Sequence, residues 1–242
     1  MTPEQAVDAI LIESLPQIDP RRSGVFIEIG CGTIAFSFEV VAKLGYRTFA
    51  VEPLITPPLQ AACQRSATTL VPAAISDSEG QCTFYIGQFQ GSELLELSSI
   101  HAGWWGAAKQ SIQVPSHTLQ GLFNLIHPQK ISAMKLDVEG AEPTIIQQFS
   151  SLDPALLPQL LIFEYGGGAT YAQKTHGWSQ PHLAGTLACL KLLKSLGYKK
   201  TTRYDSKAHE KTTNLADLDL VTPEDFFAPD CEYGNLVCFR GR

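Results

Sequence analysis

The sequence predicts an α/β fold: a doubly wound, mostly parallel sheet with helices on both faces and an antiparallel C-terminal strand. Three observations lead there. Short apolar runs alternate with longer amphipathic stretches along most of the 242 residues, the pattern of strands joined by crossover helices. A glycine turn, "GCGT", stands where the first apolar run meets its helix. The last two runs have no helix between them, so one of them must run against the rest.

The elements follow in order. In "TPEQAVDAILIESL", Thr2 is an N-cap, Pro3 takes the first helical position and Gln5 completes a capping box. Val7, Ile10, Leu11 and Leu15 then form one apolar stripe. "GVFIEIG" is a short strand, "FSFEVVAKLG" a helix closed by Gly45, and "YRTFAVEP" a second strand ending at Glu52. Thr56 and Pro57 start a helix through "PPLQAACQRS", and "TLVPAAIS" is a third strand. "DSEG" turns into the strand-like alternation of "QCTFYIG". Residues 88–113 are rich in glycine, serine and tryptophan and have no period; they read as a lid.

"SHTLQGLFNLI" reads as a helix, "ISAMKLD" as a strand, and "PTIIQQFSSL" as a helix with Pro143 in its first turn. "QLLIFEYGGG" is a strand ending in a glycine turn. "HLAGTLACLKLLKSLG" carries a stripe of Leu183, Leu187, Leu190, Leu193 and Leu196, and "YKKTTRY" and "NLVCFR" are the final strands. No internal repeat or low-complexity tract interrupts them. One domain over 1–242, with an N-terminal helix and the lid, is expected.

Bulk properties exclude some functions. A formal charge of −6, without a basic cluster, argues against nucleic-acid binding. No apolar run approaches the ~18–20 residues that span a bilayer, so no membrane partner is expected. The cysteines at 31, 63, 82, 189, 231 and 238 show neither C-x-x-C nor a metal-like spacing with histidine. With no leader-like start, they read as reduced thiols of a cytoplasmic protein. Nothing in the residues sets the oligomeric state.

The glycine turn and the acidic strand ends carry the chemistry. Gly30 and Gly32 let the backbone turn tightly around Cys31 and approach a ligand at a helix N-terminus. About twenty residues on, Glu52 can accept hydrogen bonds from ribose hydroxyls. Two nucleoside cofactors compete for such a site. "GCGTIA" satisfies the dinucleotide fingerprint G-x-G-x-x-A, which would make the protein an NAD(P)-dependent oxidoreductase. Glu28, two residues before Gly30, favours S-adenosylmethionine instead, because the ammonium and sulfonium of that cofactor are cationic and a pyrophosphate is not. Glu28 has a second reading as the partner of Lys135, since the first strand of a doubly wound sheet neighbours the fourth. A nucleoside-binding module without catalysis is the third alternative.

"FIEIGCG", "VPAAISDSEG", "VPSHTL" and above all "KLDVEGAE" stand in the order and approximate spacing of the FkbM-type methyltransferase family, which this chain resembles from Val25 to Tyr165. The resemblance implies an S-adenosylmethionine-dependent methyltransferase of the class I, Rossmann-like fold. It implies that Glu28, Gly30 and Gly32 line the methionine end, that Glu52 meets the ribose, and that Ala74 and its neighbours flank the adenine. The turn departs from the family's, which is closer to G-A-N-x-G; here it is Gly30-Cys31-Gly32-Thr33. Oxygen as the methyl acceptor, on a small molecule such as a sugar or secondary metabolite, also comes from the resemblance.

Asp137, at the carboxyl end of the fourth strand, should face the crevice where open α/β sheets bind ligands. Glu142 reads as a helix N-terminal charge. Methyl transfer is an in-line displacement, so alignment, worth about 7–11 kcal/mol, outweighs a general base at ~10²–10⁴-fold. Glu139 and Glu164, at neighbouring strand ends, are the candidate bases. His176 and His101 sit in loops near Trp104, Trp105 and Trp178, and His176 joins the catalytic candidates. Asp137, Glu139 and Glu164 could also hold Mg²⁺, but hydrogen-bonded carboxylates with no metal are the preferred reading.

Overall fold

The computed structural model describes residues 2–89, 92–102, 104, 110–166, 180–206, 210–220 and 233–241. Caps set several element ends. Helix α1 (Pro3–Ile18) begins with the capping box, Thr2 accepting from the Gln5 N–H and the Gln5 side chain accepting from the Thr2 N–H. After β1 (Val25–Ile29), α2 (Ser37–Lys43) and β2 (Arg47–Val51), helix α3 (Pro57–Ser66) starts at Thr56, whose hydroxyl accepts from the Leu59 N–H. Short strands follow: β3 (Thr69–Val71), β4 (Ala74–Ile75), β5 (Gly80–Tyr85), β6 (Gln88–Phe89), β7 (Ser92–Glu93) and β8 (Ser111–His117). Thr118 caps α4 (Leu119–Ile126), which leads to β9 (Ile131–Leu136), α5 (Glu142–Ile146) and β10 (Leu160–Gly166). Helix α6 (Gln180–Ser195) and strands β11 (Tyr198–Asp205), β12 (Glu210–Asn214) and β13 (Tyr233–Arg240) complete the described chain.

Eight strands form the main sheet in the order β12-β11-β13-β10-β9-β1-β2-β3. The β3-β2-β1-β9-β10 run is parallel, and β13 is antiparallel to both β10 and β11, between which it lies. The fold is therefore the expected doubly wound, Rossmann-like one. Alternation along β1 divides the core: Val25, Ile27 and Ile29 pack against α4, α5 and α6. Phe26 faces α1, α2 and α3 with Val7, Leu11, Leu15, Phe38, Val41 and Leu59. Among the described residues no helix is long and apolar enough to cross a membrane.

Four local expectations are corrected. "TLVPAAIS" is two strands, because Pro72 has no N–H for the ladder; β3 stays in the main sheet and β4 pairs with β8 in a three-stranded sheet with β5. Strand β8 occupies what read as the end of the lid and the start of a helix, its Pro115 sitting opposite Gln81. The helix begun at Glu142 tightens into a 3-10 turn at Gln147–Ser151. Finally, β12 is a polar strand, "EKTTN", with no apolar alternation to announce it. Within the segment read as a lid, the structure describes β6, β7, a 3-10 turn at Leu95–Leu97 and the first residues of β8.

Candidate active site

The glycine turn is forced by proximity. Strands β1 and β9 pair to their carboxyl ends, where the Asp137 N–H donates to the Ile29 carbonyl at 2.9 Å. Gly30 follows with φ +79°, and a Cβ there would lie 1.8 Å from the Asp137 carbonyl oxygen. No side chain fits. Gly32, φ +60°, has open space where its Cβ would be. Glu52 ends β2 and ties down the turn: one carboxylate oxygen accepts from the Cys31 and Gly32 N–H groups at 3.0 and 3.3 Å. The other accepts from the Leu54 N–H at 2.9 Å. Burial raises the Glu52 pKa, and these backbone donors oppose the rise. A carboxylate has about four acceptor positions, so one remains for a ligand.

Lys135 answers why an apolar strand carries a cation. It is the cross-strand partner of Glu28, and its ammonium lies 3.0 Å from the Glu28 carboxylate and 3.2 Å from that of Asp137. Glu28 is fully buried, and its second oxygen accepts from the Phe38 N–H in the first turn of α2 at 2.8 Å. Burial pushes the Glu28 carboxyl upward, against the pull of Lys135 and Phe38. For Lys135, burial works against the charge, but Glu28 and Asp137 outweigh it and hold the ammonium well above its ordinary range.

Three carboxylates meet beyond Lys135. Asp137, Glu139 and Glu164 offer oxygens all within 4.8 Å of one another. Glu139 is a non-glycine residue with φ +54°, followed by Gly140 at φ +93°; this left-handed pair turns the chain out of β9. The Trp104 indole N–H donates to the Glu139 carboxylate. Burial, and then Asp137, push the Glu139 carboxyl well up. Burial, and then Glu139, do the same to Glu164, for which no described residue supplies a donor. Buried Glu142 braces the turn, accepting from the Val138 and Gly140 N–H groups at 2.9 and 3.0 Å. Burial pushes its pKa up to about 7. The three oxygens could serve a hard cation that completes its shell with water, but Asp137 and Glu139 are already engaged by Lys135 and Trp104.

The glycine turn, Glu52, Lys135 and the three carboxylates border one cavity of about 710 Å³ at the carboxyl ends of β1, β2, β9 and β10, within the size range of small-molecule sites. Gly30, Cys31, Gly32, Thr33 and Glu52 line one side, and Ala73, Ala74, Ile75 and Phe84 make an apolar wall. Asp137, Glu139, Glu164, Trp104 and Tyr233 line the other side, and Glu4 and Asp8 of α1 close it.

The Methyltransferase FkbM domain family matches residues 27–200. The chain belongs to that family. Solved structures with a similar course include magnesium protoporphyrin IX methyltransferase from Synechocystis PCC 6803 with bound SAH, at 13% identity and TM-score 0.46, covering 98% of this chain and 83% of that one. The plantazolicin methyltransferase BpumL in complex with SAH is 11% identical with TM-score 0.45, covering 100% and 86%. The 1,6-didemethyltoxoflavin-N1-methyltransferase of Burkholderia thailandensis is 10% identical with TM-score 0.40, covering 97% and 80%. No curated protein matches the chain.

In this FkbM chain the cavity gathers Gly30, Cys31, Gly32, Glu52, Ala74, Asp137, Glu139 and Glu164, all expected from sequence. Glu28 is not among the residues that line it; its carboxylate lies beneath, on Lys135 and the start of α2. His101 is exposed and does not line the cavity, and His176 lies outside the described residues. Sequence reasoning missed Glu4, Asp8, Glu96 and Tyr233. The first two sit on the polar face of a helix that read only as an entry element. Glu96 falls in the aperiodic stretch, where it accepts from the Thr33 hydroxyl.

Proposed function

We propose that this FkbM-family chain transfers a methyl group from S-adenosylmethionine to a hydroxyl oxygen of a small molecule such as a sugar or secondary metabolite. One observation carries the reading: a single cavity joins the glycine turn and Glu52 to the carboxylates of β9 and β10. The residues suit the cofactor. Glu52 keeps an acceptor position for a ribose hydroxyl, and the apolar wall at Ala74 and Phe84 suits a purine. The open space at Gly32 admits a ligand against the backbone. Asp137, on the cavity side of Lys135, supplies the negative charge that a cationic methionine end requires. When bound, the cofactor supplies an electrophilic methyl group.

The chain's own work is alignment and proton handling. Walls on two sides hold an acceptor in line, the larger contribution at about 7–11 kcal/mol. Glu164 is the better-placed base: it has no described donor to satisfy it, whereas Glu139 is already bonded to Trp104. A raised pKa suits a base that must take a proton near neutral pH. The residues 88–113 are proposed to act as a lid, since Leu95, Glu96, Ser98 and Trp104 already border the cavity.

Thermal stability with S-adenosylmethionine, S-adenosylhomocysteine, NADH or NADPH, each with and without Mg²⁺, tests the reading. A ligand at 100 times its Kd stabilises by about 2.7 kcal/mol, a visible shift. Stabilisation by the sulfur nucleosides alone, unchanged by Mg²⁺, is expected, and a screen of hydroxyl and amine acceptors then decides the receiving atom. Stabilisation by a nicotinamide alone would make the protein an oxidoreductase.

A further inference from the structure

Trp104 makes more contacts with the β9 turn than a covering ring needs. Its indole N–H meets the Glu139 carboxylate. Its six-membered ring covers Gly140 so closely that a Cβ there would lie 2.4 Å from Cε3 and Cζ3. Five residues earlier, the Ser99 hydroxyl donates to the Glu139 carbonyl at 2.8 Å. Ser99 is itself locked to Tyr85 by two backbone bonds of 2.8 and 3.0 Å. Both the side chain and the backbone of Glu139 are thus held by one segment. Trp104 is buried, at 5% exposure, which makes its bond worth more than it would be in water.

The groups facing Glu139 explain why a donor matters. Asp137 and Glu142 flank it in sequence, Glu96 reaches it from the 3-10 turn, and Glu164 stands on β10. Among the described residues the cation nearby is Lys135, which is committed to Glu28 and Asp137. We propose that Trp104 is a positioning residue that fixes the Glu139 carboxylate at the acceptor end of the cavity and leaves Glu164 to move the proton. This inference rests on the methyl-transfer reading for the purpose of the arrangement, and not for the arrangement itself.

The test follows Glu139 by carboxyl ¹³C NMR in a Glu164→Gln background, so that one proton is titrated, with and without Trp104→Phe. Phenylalanine keeps a ring over Gly140 and removes the donor. The Glu139 midpoint should rise by at least about one pH unit, a tenfold gain in proton affinity, while Ser99→Ala leaves it in place. In the otherwise native chain, Glu139→Gln should move the Trp104 indole ¹H–¹⁵N resonance, assigned by its loss in Trp104→Phe or its persistence in Trp105→Phe and Trp178→Phe. An unchanged midpoint in Trp104→Phe, or an indole resonance indifferent to Glu139→Gln, would overturn the proposal; the second measurement stands if Trp104→Phe does not fold. Neither requires cofactor. A chain that shows both effects and fails to bind S-adenosylhomocysteine would refute the methyl-transfer reading alone.

Discussion

Replacing Lys135 by methionine tests the buried charge network most directly. Glu28 is 0% exposed, and without the ammonium at 3.0 Å it keeps only the Phe38 N–H. Removing one partner of such a pair costs about 3–5 kcal/mol, because the other charge is left uncompensated in the interior. Glu28 can escape part of this by taking a proton, which gives the loss a pH signature. Its carboxyl is already raised above the ordinary 4.5, and loss of Lys135 raises it further. A group with a raised folded pKa contributes stability that is full below its unfolded value and lost as pH rises through the folded one. The gap between native and Lys135→Met protein should therefore widen from pH 5 to pH 8. Adding Glu28→Leu should recover most of the loss, leaving about 1–3 kcal/mol for the stranded Phe38 N–H. Urea unfolding followed by circular dichroism at both pH values measures all three. A single-variant cost below about 1 kcal/mol, or a gap independent of pH, would refute the reasoning.

Other perturbations probe the turn and the acid cluster. Gly30→Ala combines a left-handed φ with a methyl 1.8 Å from the Asp137 carbonyl; a loss of about 3 kcal/mol and of S-adenosylhomocysteine binding is expected by calorimetry. Glu142, with its pKa near 7 in the fold, should withdraw up to about 3 kcal/mol as pH rises from 4.5 through 7. Tm against pH should lose that slope in Glu142→Gln. Glu164→Gln should lower methyl transfer by ~10²–10⁴-fold while S-adenosylhomocysteine binds nearly as before. The native rate should climb with pH above the ordinary carboxylate range, and a rate flat from pH 5 upward would exclude Glu164 as the base.

What could be read from sequence follows a physical division. Periodicity and caps report local preferences, so the start of α1, with Thr2, Pro3 and Gln5, was legible to the residue, whereas its end runs past Leu15 and Pro16 to Ile18. The pairing of Glu28 with Lys135 was legible too, because a doubly wound order makes their strands neighbours and an interior charge demands a partner. Strand β8 was not, since Pro115 and an exposed face hide its alternation. Nor was the direction of Glu28: knowing that a carboxylate lies two residues before a glycine turn does not say whether it points at the ligand or beneath it. The contribution of α1 depends on where a helix end lands over the sheet. That placement is a tertiary fact, and no local pattern encodes Asp8 and Glu4 as walls of the cavity.

Asp137, Glu139 and Glu164 differ in what holds them, and that difference underlies the roles proposed for them. At the 4.8 Å limit of their spacing, two ionised carboxylates repel by about 3–4 kcal/mol at an effective dielectric of ~20, less where solvent screens them. Ionising all three together is therefore costly, and the protons go to the groups with the least support. Asp137 has the Lys135 ammonium at 3.2 Å. Glu139 has the Trp104 indole and a backbone anchored by Ser99. Glu164 has no described donor, and burial followed by three acidic neighbours raises its pKa. On the proposed reading Glu164 is the base because, among the described residues, it can exchange a proton without breaking a bond that the fold has made. The same sequence feature that looked like excess charge in an apolar strand thus gives three carboxylates unequal partners, and the least supported of them is the proposed base.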